Sequence, residues 1–195
     1  MELMNYITSQ YTESIEIKKK SLQENSKSII KAIELLLESF KNEKKLLIVG
    51  NGGSAADAQH IATEFMIRLS HDIKRPPIPA IALTTDTSNL TAGGNDIGYE
   101  NVFARNLEGL GQTGDVLLAI STSGNSKNVL LTVEVAKAKG IHTIGLLGCD
   151  GGKIANNVDV AIIVPSYNTQ RIQETHLLIE HIICESIEKI LYGNN

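Results

Sequence analysis

The stretch KLLIVGNGGSAADAQHIATE, residues 45–64, decides how the rest of the chain is read. Leu46–Val49 is an apolar run of strand length, stopped by Gly50. Glycines at 50, 52 and 53 open backbone conformations closed to other residues and let a ligand approach the main chain. Ser54 then stands where a helix would be capped, and small and apolar residues carry that helix to about Leu69. A strand, a glycine turn and a helix N-terminus together offer unpaired N–H groups to an anion, most often a phosphate. His60 and Glu64 follow on the same helix, four residues apart and so on one face. The dinucleotide-binding pattern G-x-G-x-x-G is not met, because GNGGS lacks its third glycine. Asp57 and Gln59, in the same helical turn, read as support for the loop.

Downstream, apolar runs at Ala80–Leu83, Val116–Ile120, Thr143–Leu147 and Val160–Val164 alternate with helical stretches near 54–69, 99–110, 127–139, 152–156 and 171–191. Runs apolar throughout, rather than at every second position, mark strands covered on both faces. The fold class expected is therefore α/β, with one doubly wound five-stranded parallel sheet in the flavodoxin-like order 2-1-3-4-5. In that order the ends of strands 1 and 3 share a crevice, which would bring the glycine turn beside Ser121-Thr122-Ser123-Gly124-Asn125-Ser126. A cap accounts for one hydroxyl of that turn; four around a glycine suit a phosphate.

Upstream, apolar positions 7, 11, 15 and 22 have loose helical spacing. Asn25 or Ser26 could cap a second helix bearing Ile29, Ile33, Leu36, Leu37 and Phe40. Extra N-terminal helices within residues 1–44 are thus expected to pack on a single domain spanning 1–195 or on a neighbouring subunit. A net charge of −4 without a dense basic stripe argues against nucleic acid as partner. No apolar run approaches the ~20 residues a membrane span needs, and the N-terminus does not resemble a signal peptide. Two cysteines, Cys149 and Cys184, have no metal-type spacing and read as reduced thiols of a cytoplasmic protein.

Four segments in order, VGNGGSAADAQHIATEF, ALTTDTSNLTAGGNDIGYENVFAR, GDVLLAISTSGNSKNVL and VPSYNTQRIQETHLLIEHI, resemble the SIS-domain sugar isomerases, and within them the phosphoheptose isomerase family. The resemblance covers about Lys45 to Leu191. It implies interconversion of sedoheptulose 7-phosphate and D-glycero-D-manno-heptose 7-phosphate through an enediol, the first step of nucleotide-activated heptose and lipopolysaccharide synthesis. Carried over residue by residue, it places phosphate-sugar contacts on Asn51, Gly52, Gly53, Ser54, Glu64, Asn95, Asp96, Ser121, Thr122, Ser123, Ser126 and Gln173. It places ligands for one zinc per subunit on His60, Glu64, Gln173 and His181, with Glu64 and His181 as the acid/base pair. Zinc-bound carboxylate is a poor base, so a labile site is expected. Gln170 departs from the aspartate some members carry there, which puts one sugar contact in question.

From the residues alone, His176 and Glu180 could equally form the functional pair on the last helix. Gln173 and His181 are eight residues apart, roughly 12 Å along a helix at ~1.5 Å per residue. Reaching one ion from both would overstretch them, so a ligand set shared between at least two chains is expected, in a homo-oligomer, by resemblance a tetramer with sites at subunit interfaces. A non-catalytic SIS-domain binding module is one rival; a SIS-domain isomerase or sensor of hexose or pentose phosphates is another. In the resemblance the binding modules lack the late-helix histidine, so His181 and Glu64 favour the enzyme.

Overall fold

A computed structural model describes residues 2–193. Five strands form one all-parallel sheet in the order β2-β1-β3-β4-β5: β1 Leu46–Val49, β2 Ala80–Ala82, β3 Val116–Ser121, β4 His142–Leu147 and β5 Val160–Ile163. Each central strand divides its side chains between two cores, as a period of two requires. Leu46, Ile48, Val116, Leu118 and Ile120 face helices α1 (Leu3–Lys41), α2 (Gly53–Met66) and α7 (Thr169–Tyr192), packing on Leu36, Ile61, Phe65 and Ile183. Leu47, Val49, Leu117 and Ala119 face α4 (Tyr99–Leu110), α5 (Lys127–Ala138) and the short α6 (Gly152–Ala155), packing on Phe103, Leu107, Val129 and Val133. Both cysteines are free. No helix among the described residues is long and apolar enough to cross a membrane.

Two expectations are corrected. The N-terminal region is one 39-residue helix, not two, because Asn25 does not cap anything. Buried in mid-helix, Asn25 donates Nδ2 to the Ile163 carbonyl (2.9 Å) and accepts the Ile163 N–H (2.9 Å). It thereby satisfies backbone groups that edge strand β5 would otherwise leave open. Ser54 is not a cap either. Gly52, at φ 57°, occupies the N-cap of α2, and Ser54 lies buried in the first turn. Helix α3 (Thr87–Asp96) is an element the sequence pattern does not predict.

A candidate sugar-phosphate and metal site

In a parallel sheet every strand points its carboxyl end to the same rim, so adjacent β1 and β3 deliver their turns side by side. The amides of Asn51 and Asn128 close this crevice reciprocally, Asn51 Nδ2 to Asn128 Oδ1 at 2.8 Å and Asn128 Nδ2 to Asn51 Oδ1 at 2.9 Å. Tyr99 Oη adds a third link, donating to Asn51 Oδ1 at 3.0 Å. The glycine turn and the hydroxyl turn therefore share one rim, as the strand order demanded. Neither Asn128 nor Tyr99 stands out in the sequence; each is a polar residue on an otherwise amphipathic helix.

At the hydroxyl turn, Ser121 Oγ and Ser126 Oγ lie 3.0 Å apart and Ser123 Oγ accepts the Asn125 N–H. Ser126 occupies the N-cap of α5 without turning its hydroxyl onto the helix; Asn128 Oδ1 accepts the Val129 N–H, which leaves the N–H groups of Lys127 and Asn128 for an anion. Gly124, at φ 63°, is obligatory: a Cβ there would sit 2.0 Å from the Gly151 carbonyl oxygen. The turn after β4 thus buttresses the turn after β3, and the Ile154 N–H donates to the Gly124 carbonyl. Asn95 and Asp96 lie exposed at the end of α3, bonded to each other. Within this chain no hydrogen bond joins them to either turn among the described residues.

Helices α2 and α7 run alongside one another in step. Gln173 presses on Gly53, where a Cβ would meet its Nε2 at 2.3 Å. Two turns on, His60 Nε2 and His181 Nε2 are 2.8 Å apart, and Glu64 Oε1 is 3.5 Å from His60 Nε2. One ligand atom from each of His60, Glu64 and His181 falls within 4.8 Å of the others. The structure brings these three together and leaves Gln173 at the N-terminal end of α2.

This donor set fits a zinc ion: two imidazole nitrogens and a carboxylate, open on one side. Tetrahedral bonds of about 2.0–2.1 Å to both imidazoles need Nε2 atoms about 3.3 Å apart, so the rings must part by about 0.5 Å to admit the ion. At 2.8 Å one Nε2–H donates to the other ring's lone pair. Behind the site, burial and the neighbouring Asp57 push the Glu180 carboxyl up to about 8, and neither of its oxygens has a partner. Burial likewise raises Asp57, against the opposing pull of His60. His176 points the other way, Nε2 donating to the Leu147 carbonyl at 2.9 Å inside the core. Of the two late-helix histidines, only His181 meets a side chain of α2.

The sequence profile of the SIS domain matches residues 10–148. That span holds both turns, His60 and Glu64, and stops short of α7. Full-length likenesses cover α7 as well. The phosphoheptose isomerase of Sulfurimonas denitrificans is 53% identical over 98% of each chain, and that of Clostridium acetobutylicum 49% identical over 98% of this chain and 97% of its own. Among solved structures, a phosphoheptose isomerase from Neisseria gonorrhoeae is 44% identical, covers 96% of this chain and 99% of its own, and superposes with a TM-score of 0.90. One from Francisella tularensis, 36% identical, covers 97% of this chain and all of its own at a TM-score of 0.92. With the late helix inside these likenesses as well as the two turns, the chain belongs to the phosphoheptose isomerase family of SIS-domain proteins.

Proposed function

We propose that this enzyme converts sedoheptulose 7-phosphate to D-glycero-D-manno-heptose 7-phosphate. The observation that carries the proposal is the meeting of His60, Glu64 and His181 beside a rim that gathers both phosphate-type turns. The phosphate is held by the N-termini of α2 and α5 with the hydroxyls of Ser121, Thr122, Ser123 and Ser126, and the sugar's carbonyl end reaches along α2 to Glu64. Asn51, Gly52, Gly53 and Ser54 shape the near wall, and Asn95, Asp96 and Gln173 contact the sugar.

Moving a carbonyl between C2 and C1 requires a base for carbon and a group that serves the two oxygens. Glu64, with 16% of its side chain exposed, takes the C1 proton and returns it to C2. His181 moves the proton between the oxygens; positioned groups of this kind contribute about 10²–10⁴-fold each. His60, Glu64 and His181 would hold a zinc ion, with Gln173 as a fourth ligand. When bound, zinc polarises the carbonyl and offsets the negative charge of the enediol stage. A carboxylate held by a metal is a poorer base, so a bound zinc would rest mainly on the imidazoles of His60 and His181 while Glu64 handles the proton.

Gln173 lies two turns from the three clustered ligands, and we take it to act in a neighbouring subunit's site within a homotetramer. Supporting this, α1 and α7 expose apolar residues side by side: Ile15, Leu22, Leu178 and Ile182. The enzyme is placed in the cytoplasm, feeding heptose to surface polysaccharide.

The test is turnover of sedoheptulose 7-phosphate in deuterated water, where deuterium at C2 of the aldose product is the expected result. Binding without conversion would refute the proposal. A loss below about tenfold in His181→Ala would remove that residue from the mechanism.

A further inference from the structure

Helix α2 ends at Met66, two residues beyond Glu64, and the last carbonyls of any helix lack partners inside it. Its last turn carries no basic residue. Arg75, from the connection between α2 and β2, supplies the donors. Its Nη2 donates to the Glu64 carbonyl at 2.6 Å, and its Nη1 to the carbonyls of Phe65 at 2.7 Å and Pro76 at 3.0 Å. Nε donates to Glu188 Oε1 at 2.7 Å. Glu188 also accepts the backbone N–H groups of Leu69 (3.1 Å) and Ser70 (3.0 Å). Both side chains are 0% exposed.

Glu188 sits on α7 seven residues after His181, two turns along the same face. Arg75 therefore grips the backbone of Glu64 with one end of its guanidinium and the helix that carries His181 with the other. Burial pushes the Glu188 carboxyl up, but the N–H donors of Leu69, Arg75 and Ser70 more than offset this and hold it below the ordinary range. A planar fork with five donors can satisfy four acceptors at once; an ammonium cannot.

We infer that the Arg75–Glu188 pair is a positioning device that fixes the distance between Glu64 on α2 and His181 on α7, and so sets the zinc affinity and the proton-transfer geometry of the site. The inference rests on the assignment of His60, Glu64 and His181 given above. A plain helix cap would contact α2 alone. This one reaches the opposite helix, and it spans the two groups whose separation matters.

Zinc affinity is read by competition with a chromogenic chelator on the full chain, together with kcat, KM and melting temperature. The variants are Glu188→Gln, Arg75→Lys and the charge-free pair Arg75→Met with Glu188→Leu. Loss of a group that orients metal ligands typically weakens binding 10–100-fold, and that range is expected in each variant. KM is expected to stay within about twofold while kcat falls, because the phosphate turns lie at the far end of α2. Asp115→Asn is the control. It breaks the buried pair with Lys45 at the opposite rim of the sheet and should lower the melting temperature with zinc affinity unchanged. Wild-type zinc affinity and kcat in a folded charge-free pair would overturn the clamp and leave the site standing. Wild-type zinc affinity in His60→Ala would overturn the site itself, and the clamp with it.

Discussion

His176 should make the fold acid-sensitive, and the size of the effect follows from its surroundings. The ring is 0% exposed; Nε2 donates to the Leu147 carbonyl at 2.9 Å, while Nδ1 is buried with no partner. A second proton would have to go on Nδ1, where nothing accepts it and no water solvates the charge. Burial accordingly lowers the imidazole from 6.5 to about 4, and the Leu147 carbonyl reverses only a fraction of that. Above pH 6.5 neither the folded nor the unfolded chain protonates this residue, and it costs nothing. Below 6.5 the unfolded chain gains a proton that the folded chain refuses, so stability falls with pH until about pH 4. At 1.36 kcal/mol per unit the full penalty is about 3 kcal/mol, of which about 2 kcal/mol is present at pH 5. Urea unfolding at fixed protein concentration, at pH 7, 6 and 5, should be run on wild type and on His176→Gln, which keeps an N–H donor and cannot titrate. Wild type should lose about 2 kcal/mol relative to the variant between pH 7 and 5. A difference constant to within about 0.5 kcal/mol across that range would mean that the buried ring charges without penalty, and the reasoning fails.

Chelation should abolish most turnover, and zinc should restore it; full activity after exhaustive dialysis against a chelator would exclude the metal. Glu64→Gln should lower kcat by about 10²-fold or more in the same assay, with phospho-sugar binding kept. Gly124→Ala forces a Cβ against the Gly151 carbonyl at a positive φ. It should cost at least about 1–3 kcal/mol by denaturant melting and raise KM, and a neutral effect would show that the two turns are not braced as described. If the chain assembles through α1 and α7 as proposed, Leu178→Lys with Ile182→Lys should lower its mass by sedimentation. An unchanged mass would place the interface elsewhere.

Much of this architecture was legible because its signals are local. The apolar run into Gly50, the helix after it and the i, i+4 pair of His60 and Glu64 are short-range patterns, and each was found where expected. Asn25 misled because capping residues and residues that bridge to an edge strand look identical until the strand is beside them. Helix α3 hid because it contains Gly93 and Gly94 and buries none of its residues, so it has neither propensity nor periodicity. Asp86 does cap it, accepting the Asn89 N–H, but one cap before a glycine-rich stretch is a weak signal.

The late helix shows what geometry adds. His176 and His181 are five residues apart, so at 100° per residue they point about 140° from each other, and one helix face cannot hold both. Spacing alone cannot say which of them looks toward α2; the packing of Ile172, Ile179 and Ile183 on the core does. Once α7 is oriented, contacts along α2 occur in step: Gln173 on Gly53, His181 on His60, and Glu188 through Arg75 on the Glu64 carbonyl. On the proposed assignment, the two parallel helices carry three jobs in succession: anion and sugar at one end, proton and metal in the middle, and a rigid tie at the other. A site of this kind tolerates a loose loop at its phosphate end far better than a loose helix at its tied end. Substitutions near Arg75 should then strike turnover harder than their distance from the substrate suggests.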